Sequence, residues 1–226
     1  MIYQISKRLL DIVCSALAIT ITSPIWLITA IGIWLSDPGP VFYVANRIGK
    51  NNQPFKMYKF RSMRCGKVNE SVFRGEEDRI FPFGKFIRST KIDELPQLIN
   101  IFIGTMSIVG PRPAAADQFE FVRDGKEDII STVKVGLTSP AAIYDYIYGD
   151  TVDGETEYRE KVLPTRLKLD RYYVRHMSMF YDLKIIWYTV VCVVSCFFHI
   201  IPKKILDELV TKANMDVNIK NEVPAA

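Results

Sequence analysis

The chain has 226 residues and a formal net charge of +4, and 49% of its residues are hydrophobic. This length is enough for one domain with a sizeable core and is short of what two domains usually need. A modest positive charge on so hydrophobic a chain favours contact with anionic lipid or phosphate and argues against a nucleic-acid-binding protein.

The first predicted element is an apolar segment over residues 9–35, with the pair Ser23 and Pro24 near its midpoint. The segment exceeds the roughly 20 residues that a bilayer crossing needs. Proline removes one backbone hydrogen bond and bends a helix, and nearby hydroxyl groups such as that of Ser23 can satisfy the freed carbonyl. Ser23 and Pro24 therefore predict a break in a membrane helix.

The charges around this segment decide between crossing the membrane and returning. Lys7 and Arg8 precede it, and several basic residues follow it from Arg47 onwards. Positive charge marks the cytoplasmic side of a membrane segment, and here it lies at both ends. We therefore expect a re-entrant helix-break-helix over residues 1–36, with an ordinary kinked transmembrane helix as the alternative.

A basic strand is predicted over residues 54–64, PFKMYKFRSMR. Alternation would place Lys59 and Arg61 on one face, and neither face of the strand is purely apolar. Such a strand is a poor core element, but it suits the wall of a site that binds phosphates beside a membrane. A solvated or lipid-facing basic strand is the alternative interpretation.

An acidic pair lies in residues 90–113, TKIDELPQLINIFIGTMSIVGPRP, where Asp93 and Glu94 precede a short apolar helix. With Thr90 as a cap and Pro96 in the first turn, both carboxylates would lie near the positive end of the helix dipole, which favours their ionised forms. Such a pair suits Mg²⁺ beside a phosphate, with one carboxylate free to attack phosphorus. Acidic residues in a first turn also occur for stability alone, so both interpretations stay open at this point.

Two arginines flank the acidic pair. Arg88 lies on the approach to the helix, where it could bind the same phosphate or form a salt bridge with Asp93 or Glu94. Arg112 lies between two prolines in the turn Gly-Pro-Arg-Pro and is expected to clamp the anion.

The remaining chain carries a second apolar stretch over residues 185–201, flanked by lysines. It is roughly 26 Å long as a helix, which is marginal for a span, and it could instead lie along the membrane interface or pack against the domain. Residues 202–226 form a C-terminal tail, which after Lys212 is polar, shows no clear periodicity and is expected to be mobile. Residues 37–184 are expected to form the catalytic domain, with an α+β fold that is mainly helical and has a small β element.

Six blocks of this sequence, in this order and at these spacings, closely resemble the bacterial sugar transferases known as monotopic phosphoglycosyl transferases, in their minimal form. The blocks are KRLLDIV, the Ser-Pro break, KMYKFRSM, DELPQLIN, MSIVGPRP and YDLKIIW. Together they cover most of the chain, from about Ser6 to Trp187. The DELPQ and GPRP blocks in combination are far more specific than either alone.

The resemblance implies transfer of a sugar 1-phosphate from a UDP-sugar to a polyprenol phosphate, such as undecaprenyl phosphate, with release of UMP. This reaction initiates the assembly of bacterial glycans such as capsule, O-antigen, exopolysaccharide or glycoprotein glycans. It takes place at the cytoplasmic face of the bacterial inner membrane, where anionic lipids are further expected contacts. Nucleic acid is not an expected partner, and a homodimer is left open.

The resemblance also implies roles for individual residues. In that family the aspartate of the acidic pair is the nucleophile and forms a covalent phosphosugar intermediate, while the glutamate helps to hold Mg²⁺. These roles fall on Asp93 and Glu94, and both carboxylates are candidate metal ligands. The family's lysine and arginines match Lys59, Arg88 and Arg112.

Two alternatives remain from the sequence. Asp93 could act as a base for direct attack by the lipid phosphate, or the chain could be a membrane scaffold without catalysis. The chain also departs from the family's Arg-Pro-Gly-(Ile/Leu)-Thr-Gly stretch, since residues 134–140 read KVGLTSP. An acidic, tyrosine-rich loop is predicted to follow over residues 141–158, where its position suggests a part in sugar recognition.

Overall fold

The computed structural model describes residues 2–65, 79–115, 129–149, 154–198 and 200–221. As expected from the sequence, these residues are mostly helical with a small β element. The strands are β1 (Phe42–Ile48), β2 (Pro54–Phe60), β3 (Ser107–Val109), β4 (Ala114–Ala115) and β5 (Gly136–Thr138). The helices are α1 (Ile2–Ser36), α2 (Pro82–Ser89), α3 (Gln97–Ile103), α4 (Pro140–Tyr148), α5 (Gly154–Glu157), α6 (Leu163–Arg175), α7 (Met179–Phe197) and α8 (Lys203–Asn221).

The N-terminal apolar segment forms one helix, α1, and Pro24 lies inside it. Pro24 has no N–H for the carbonyl of Thr20, and the Ser23 hydroxyl donates to that carbonyl at 2.8 Å instead. The expected hydrogen bond from a hydroxyl to the freed carbonyl is therefore present. The expected break, however, does not interrupt the helix. Among the described residues, α1 is the one helix long and apolar enough to cross a membrane, judged by length and composition.

Both halves of α1 contact the same domain. Arg8 donates to the carbonyls of Ile101 and Phe102 at the end of α3, at 2.7 Å each. Near the other end of α1, Ile33 is fully buried in an apolar cluster that includes Phe81. Since a straight helix would separate residues 8 and 33 by about 37 Å, the domain supports α1 along most of its length.

A buried carboxylate also ties the start of α1 to α6 and α7. Asp182 accepts hydrogen bonds from Lys7 Nζ at 2.7 Å and from Tyr3 OH at 2.9 Å. Its other oxygen accepts from Tyr173 OH at 2.6 Å. Three donors satisfy this buried charge, which makes it a structural anchor of the N-terminus.

The sheet strands lie beside α3. β1 pairs with β2 and β4 in antiparallel fashion, and β3 pairs with β5 in parallel. The predicted basic strand is present but ends at Phe60, so Arg61 lies beyond it. Asn100 in α3 accepts from Tyr58 N at 2.9 Å and donates to Lys56 O at 2.7 Å. This amide holds α3, which begins three residues after Glu94, against β2, which carries Lys59.

Part of the predicted loop over residues 141–158 is helical. Ser139 caps α4 by accepting from Ala142 N at 2.9 Å, and Pro140 occupies the first helical position. These are ordinary signals of a helix start, so the prediction of a loop is wrong for α4. Residues 150–153 lie outside the described residues, and the suggested part in sugar recognition stays a prediction.

The second apolar stretch belongs to a longer helix, α7, which begins six residues before the predicted start at Ile185. Ile185 and Cys192 are buried against the domain, whereas Trp187 and Val194 are exposed. Of the three arrangements left open by the sequence, packing of one face against the domain is present. The opposite face remains apolar and exposed.

The C-terminal segment forms α8 as far as Asn221. Leu206, Leu209 and Ala213 are each 2% exposed and follow one another by three and four residues, the spacing of one helical face. Arg175 in α6 also donates to Asp216 at 2.8 Å. The expectation of no periodicity after Lys212 is therefore wrong as far as Asn221, because α8 continues through these residues, and mobility stays a prediction.

Candidate active site

The acidic pair lies in a turn of its own between α2 and α3. Thr90 closes α2, because its hydroxyl donates to Phe86 O at 2.8 Å. Lys91 then has a left-handed backbone with φ of 59°, which ends the helical path. A 3₁₀ turn over Ile92–Glu94 follows, and Pro96 immediately precedes α3. The prediction that Thr90 caps the helix of the acidic pair is therefore wrong.

The pKa values of the two adjacent carboxylates are shifted in opposite directions. Burial raises the pKa of Asp93 to about 6; Lys59 opposes this effect and Glu94 adds to it. Burial also acts to raise the pKa of Glu94, but Lys59 and Arg112 outweigh it and lower that pKa to about 2. The expected ionised state thus holds for Glu94, whereas Asp93 keeps it only above about pH 6.

Contacts explain this difference. Glu94 Oε1 lies 3.0 Å from Nζ of Lys59, which is on β2. Asp93 is 7% exposed, and its buried Oδ1 has no hydrogen-bond partner within the described residues. A buried oxygen without a partner is costly and typical of a site that awaits a ligand.

A polar cleft opens beside the pair. Lys59 and Arg112 bring positive charge to it, and Glu94 brings negative charge. Asp93 precedes Glu94 in the same turn but does not belong to the lining of the cleft. The lining includes Arg47, Met57, Lys59, Glu94, Gln97, Arg112, Pro113, Gly136 and Leu137. The structure therefore brings together Lys59, Glu94 and Arg112 around the cleft, and Asp93 is the neighbour of Glu94 in the chain.

Arg112 is paired with an acid that sequence analysis did not single out. Its Nε lies 3.2 Å from Asp145 Oδ2 in α4. Asp145 accepts a hydrogen bond of 2.6 Å from Tyr158 OH, which itself accepts from Arg166. The acidic, tyrosine-rich composition of residues 141–158 was visible, but no local pattern joins it to Arg112. The contact depends on how α4 folds back onto the Gly-Pro-Arg-Pro turn.

Arg88 lies in the last turn of α2, exposed and outside the lining of the cleft. Its charge lowers the pKa of Asp93, behind larger contributions from burial, Lys59, Glu94 and Lys91. Within the described ranges it forms no ion pair with Asp93 or Glu94, so the salt bridge considered from the sequence is not present.

Arg61, the third arginine predicted to bind phosphate, is 4% exposed and is not among the residues that line the cleft. Its guanidinium donates to the side chain and carbonyl of Asp37 and to the carbonyl of Pro40. It also lies over the Phe81 ring, 5.5 Å from the centroid. Asp37 and Pro40 follow the end of α1, so these contacts place Arg61 at the junction between α1 and the domain. Arg61 lies outside β2, which ends one residue before it.

The donors around the pair fit a Mg²⁺ ion that has few protein ligands. No group of three or more His, Cys, Asp or Glu side chains converges anywhere in the part of the chain that the structure describes. Mg²⁺ commonly binds one or two carboxylates and takes its other ligands from water and substrate phosphates. The unpartnered Asp93 Oδ1 beside Glu94 suits that mode of binding.

Comparison with known proteins places this arrangement in a family. The family model described as bacterial sugar transferase matches residues 2–196. The chain is 38% identical to a UDP-glucose:undecaprenyl-phosphate glucose-1-phosphate transferase of Klebsiella pneumoniae, over 84% of this chain and 40% of that protein. It is 35% identical to a UDP-N-acetylgalactosamine-undecaprenyl-phosphate N-acetylgalactosaminephosphotransferase of Aeromonas hydrophila, over 87% of this chain and 45% of that protein.

A shorter relative is covered more fully. The chain is 34% identical to a UDP-glucose:undecaprenyl-phosphate glucose-1-phosphate transferase of Caulobacter vibrioides, over 83% of this chain and 69% of that protein. The chain thus spans less than half of the first two relatives and about two thirds of the third. The match to the family model extends from α1 through most of α7 and includes every residue of the cleft. The chain therefore belongs to the bacterial sugar transferase family.

Proposed function

We propose that this protein transfers a sugar 1-phosphate from a UDP-sugar to a polyprenol phosphate, with release of UMP, as the first step of bacterial glycan assembly. The observation that carries the proposal is the buried Asp93, with an unpartnered oxygen, beside a cleft lined by Lys59, Glu94 and Arg112. The names of the three relatives support undecaprenyl phosphate as the acceptor. Because those names differ in the sugar, the proposal stops at the class of UDP-sugars.

Asp93 is the nucleophile in the proposed mechanism. Its carboxylate attacks the phosphorus that bears the sugar, the bond from that phosphorus to the bridging oxygen breaks, and UMP leaves with the bridging oxygen. A phosphate oxygen of the polyprenol phosphate then attacks the same phosphorus and releases the Asp93 carboxylate. One difficult transfer is thereby divided into two steps.

The surrounding charges have separate tasks. Lys59 and Arg112 stabilise negative charge on the phosphate oxygens as bonds form and break. Glu94 stays an anion because its pKa is about 2, so it cannot donate a proton at neutral pH and instead orients Lys59. When bound beside Asp93 and Glu94, Mg²⁺ would neutralise part of the charge of the diphosphate.

Isotope exchange tests the covalent step. Wild-type protein with Mg²⁺, a UDP-sugar and labelled UMP, but no polyprenol phosphate, should move label into the UDP-sugar. UDP-glucose and UDP-N-acetylgalactosamine are the first donors to use, because relatives carry those names. An absence of exchange alongside UMP release when the lipid is added would favour direct attack by the lipid, with Asp93 as a base.

The Asp93→Asn variant tests catalysis itself. It should release no UMP from any UDP-sugar in the presence of the lipid, because an amide cannot form the phosphosugar intermediate. Equal UMP release by wild type and variant would remove Asp93 from the mechanism. No release by wild type across a panel of UDP-sugars would favour a scaffold without catalysis.

For the membrane, we propose that α1 is re-entrant and returns to the cytoplasmic side. The Ser23 hydroxyl replaces the hydrogen bond lost at Pro24, and both halves of α1 contact one domain. The basic residues near both ends would contact anionic lipid headgroups. This arrangement would hold the cleft at the depth of a lipid phosphate.

Cysteine labelling tests this topology. In a background with the exposed Cys65 changed to Ser, single variants Gln4→Cys and Lys50→Cys should both react with an impermeant reagent from the cytoplasmic side only. Both positions are exposed in the structure and lie on either side of the apolar segment. Labelling from opposite sides would establish an ordinary transmembrane helix.

A further inference from the structure

The Arg112 side chain needs a support if it is to bind a phosphate in a defined position. Pro111 and Pro113 restrict its backbone, but the side chain is 43% exposed and has several rotatable bonds. Its Nε edge lies against Asp145, with Nε and Oδ2 3.2 Å apart. The two terminal nitrogens form the opposite edge of the same guanidinium, and the Arg112 side chain lines the cleft.

Asp145 is itself held firmly. Its side chain is 10% exposed, and Tyr158 OH donates to its Oδ1 at 2.6 Å. Burial acts to raise the pKa of Asp145, but Arg112 and Arg166 outweigh it and lower that pKa, so Asp145 is an anion at neutral pH. It lies on α4, whose start is fixed by the Ser139 cap. The support is therefore a buried anion on a rigid element.

We propose that Asp145, oriented by Tyr158, is a positioning residue that holds the Arg112 guanidinium with its terminal nitrogens toward the diphosphate of the donor. This inference rests on the function proposed above. A guanidinium held at Nε keeps the edge between its two terminal nitrogens free, and that edge matches two phosphate oxygens at once. Asp145 does not contact the reacting atoms in this arrangement and acts through Arg112.

The direction in which the loss of the Asp145 charge changes nucleoside diphosphate binding distinguishes a positioning role from charge repulsion. A carboxylate near the binding site repels an anionic ligand, so removing the charge of Asp145 should strengthen the binding of a nucleoside diphosphate if repulsion were its main effect. If Asp145 positions Arg112, the same change should weaken binding. An effect through Arg112 should also vanish when Arg112 is absent.

The test is calorimetric titration of UDP into the full chain in lipid nanodiscs with Mg²⁺ present. Asp145→Asn should raise the Kd about five- to tenfold, and Arg112→Ala should raise it at least as much. The double variant should bind no more weakly than Arg112→Ala alone. Glu160→Gln is the matched control, because Glu160 is an exposed acid in the adjoining segment and its loss should leave the Kd within about twofold.

Tyr158→Phe removes only the hydroxyl that donates to Asp145, and thermal melting of each variant shows whether the fold is kept. This variant should raise the Kd about two- to fivefold, and it keeps the inference testable if Asp145→Asn does not fold. Unchanged or tighter UDP binding by the folded Asp145 and Tyr158 variants would overturn the inference. Additive losses in the double variant would also overturn it.

Two further outcomes separate the inference from the proposed function. If Arg112→Ala binds UDP as wild type does, while wild type releases UMP from a UDP-sugar, the positioning role is wrong and the proposed function stands. If wild type neither binds UDP nor releases UMP, the proposed function fails and the inference fails with it.

Discussion

The two sides of the cleft use their charges differently. On the acidic side, Lys59 pairs with Glu94 and leaves Asp93 beside them with an unpartnered buried oxygen. On the arginine side, Arg112 is paired at one edge with the buried Asp145. The acidic side thus keeps one group in an unfavourable state, as a nucleophile requires, whereas on the arginine side Arg112 is supported at one edge and is suited to holding a ligand.

Removing Lys59 should give the largest effect, because the acidic side depends on it twice. Lys59→Met takes away a cation at the phosphates and leaves Glu94 as an anion without its 3.0 Å partner. We expect a loss in kcat/KM of about 100-fold, the usual cost of removing one stabilising group from a transition state. Steady-state rates of UMP release, measured over a range of UDP-sugar concentrations, give the kcat/KM of wild type and variant.

Lys56→Met is the matched control for this change. Lys56 lies three residues earlier in β2, is exposed, and has its side chain on the other face of the strand. Its loss should change kcat/KM by less than about threefold, since a surface charge contributes little. Equal losses in the two variants would show that the general charge of β2 matters rather than the pair with Glu94.

The acidic side could be predicted from the sequence because its chemistry lies in compact blocks. Asp93 and Glu94 are adjacent, and the basic strand with Lys59 is recognisable from its own residues. Their local geometry could not be predicted. The left-handed backbone at Lys91 ends the preceding helix at Thr90. Lysine rarely adopts this conformation, so the sequence does not predict it there.

The arginine side shows why the rest was missed. Arg112 stood out between its prolines, but its partner Asp145 lies on α4, in a segment interpreted as a loop. A long-range pair depends on tertiary folding, which single-sequence patterns do not reveal. The same applies to Arg61, whose charge suggested phosphate but whose partner, Asp37, follows the end of α1. Side-chain chemistry was easier to predict than the partner of each charge.

The pH dependence of kcat/KM should report the acidic side of the cleft, with a change of about tenfold. Without metal the pKa of Asp93 is about 6, so at low free Mg²⁺ kcat/KM should fall as the pH drops, with a midpoint at about pH 6 and a loss of about tenfold from pH 7 to pH 5. Protonated Asp93 cannot attack, so the sign is fixed. UMP release in overlapping buffers of constant ionic strength and constant free Mg²⁺ measures the profile.

Variants on the two sides should shift this midpoint differently. Lys59 is the strongest charge that lowers the pKa of Asp93, so Lys59→Met should move the midpoint above 6. Arg112 is absent from the main causes of that pKa, so Arg112→Lys should reduce activity and leave the midpoint in place. Parallel shifts in both variants would mean that the titration belongs to the whole cleft and not to Asp93.

The smallest predicted effect concerns stability and has opposite signs for the two carboxylates. Asp93→Asn should raise the free energy of unfolding at pH 7.5 by about 1 kcal/mol, because the ionised Asp93 is buried and lacks a partner at Oδ1. Glu94→Gln should lower it by about 1 kcal/mol, because it leaves Lys59 without its charged partner. Thermal melting in detergent with EDTA, so that no metal compensates the charge, measures both changes.

The dependence of these shifts on pH tests their cause. The pKa of Asp93 is raised in the folded protein from 3.8 to about 6, so the ionised form costs stability above pH 6 and that cost disappears below about pH 4. The pKa of Glu94 is lowered from 4.5 to about 2, so its contribution is present above pH 4.5 and is lost only as the pH falls toward 2. At pH 4 the gain from Asp93→Asn should therefore be nearly gone, while most of the loss from Glu94→Gln persists. If both variants lose stability at pH 7.5, Asp93 is a structural residue like its neighbour, and the distinction between a strained nucleophile and a satisfied partner is wrong.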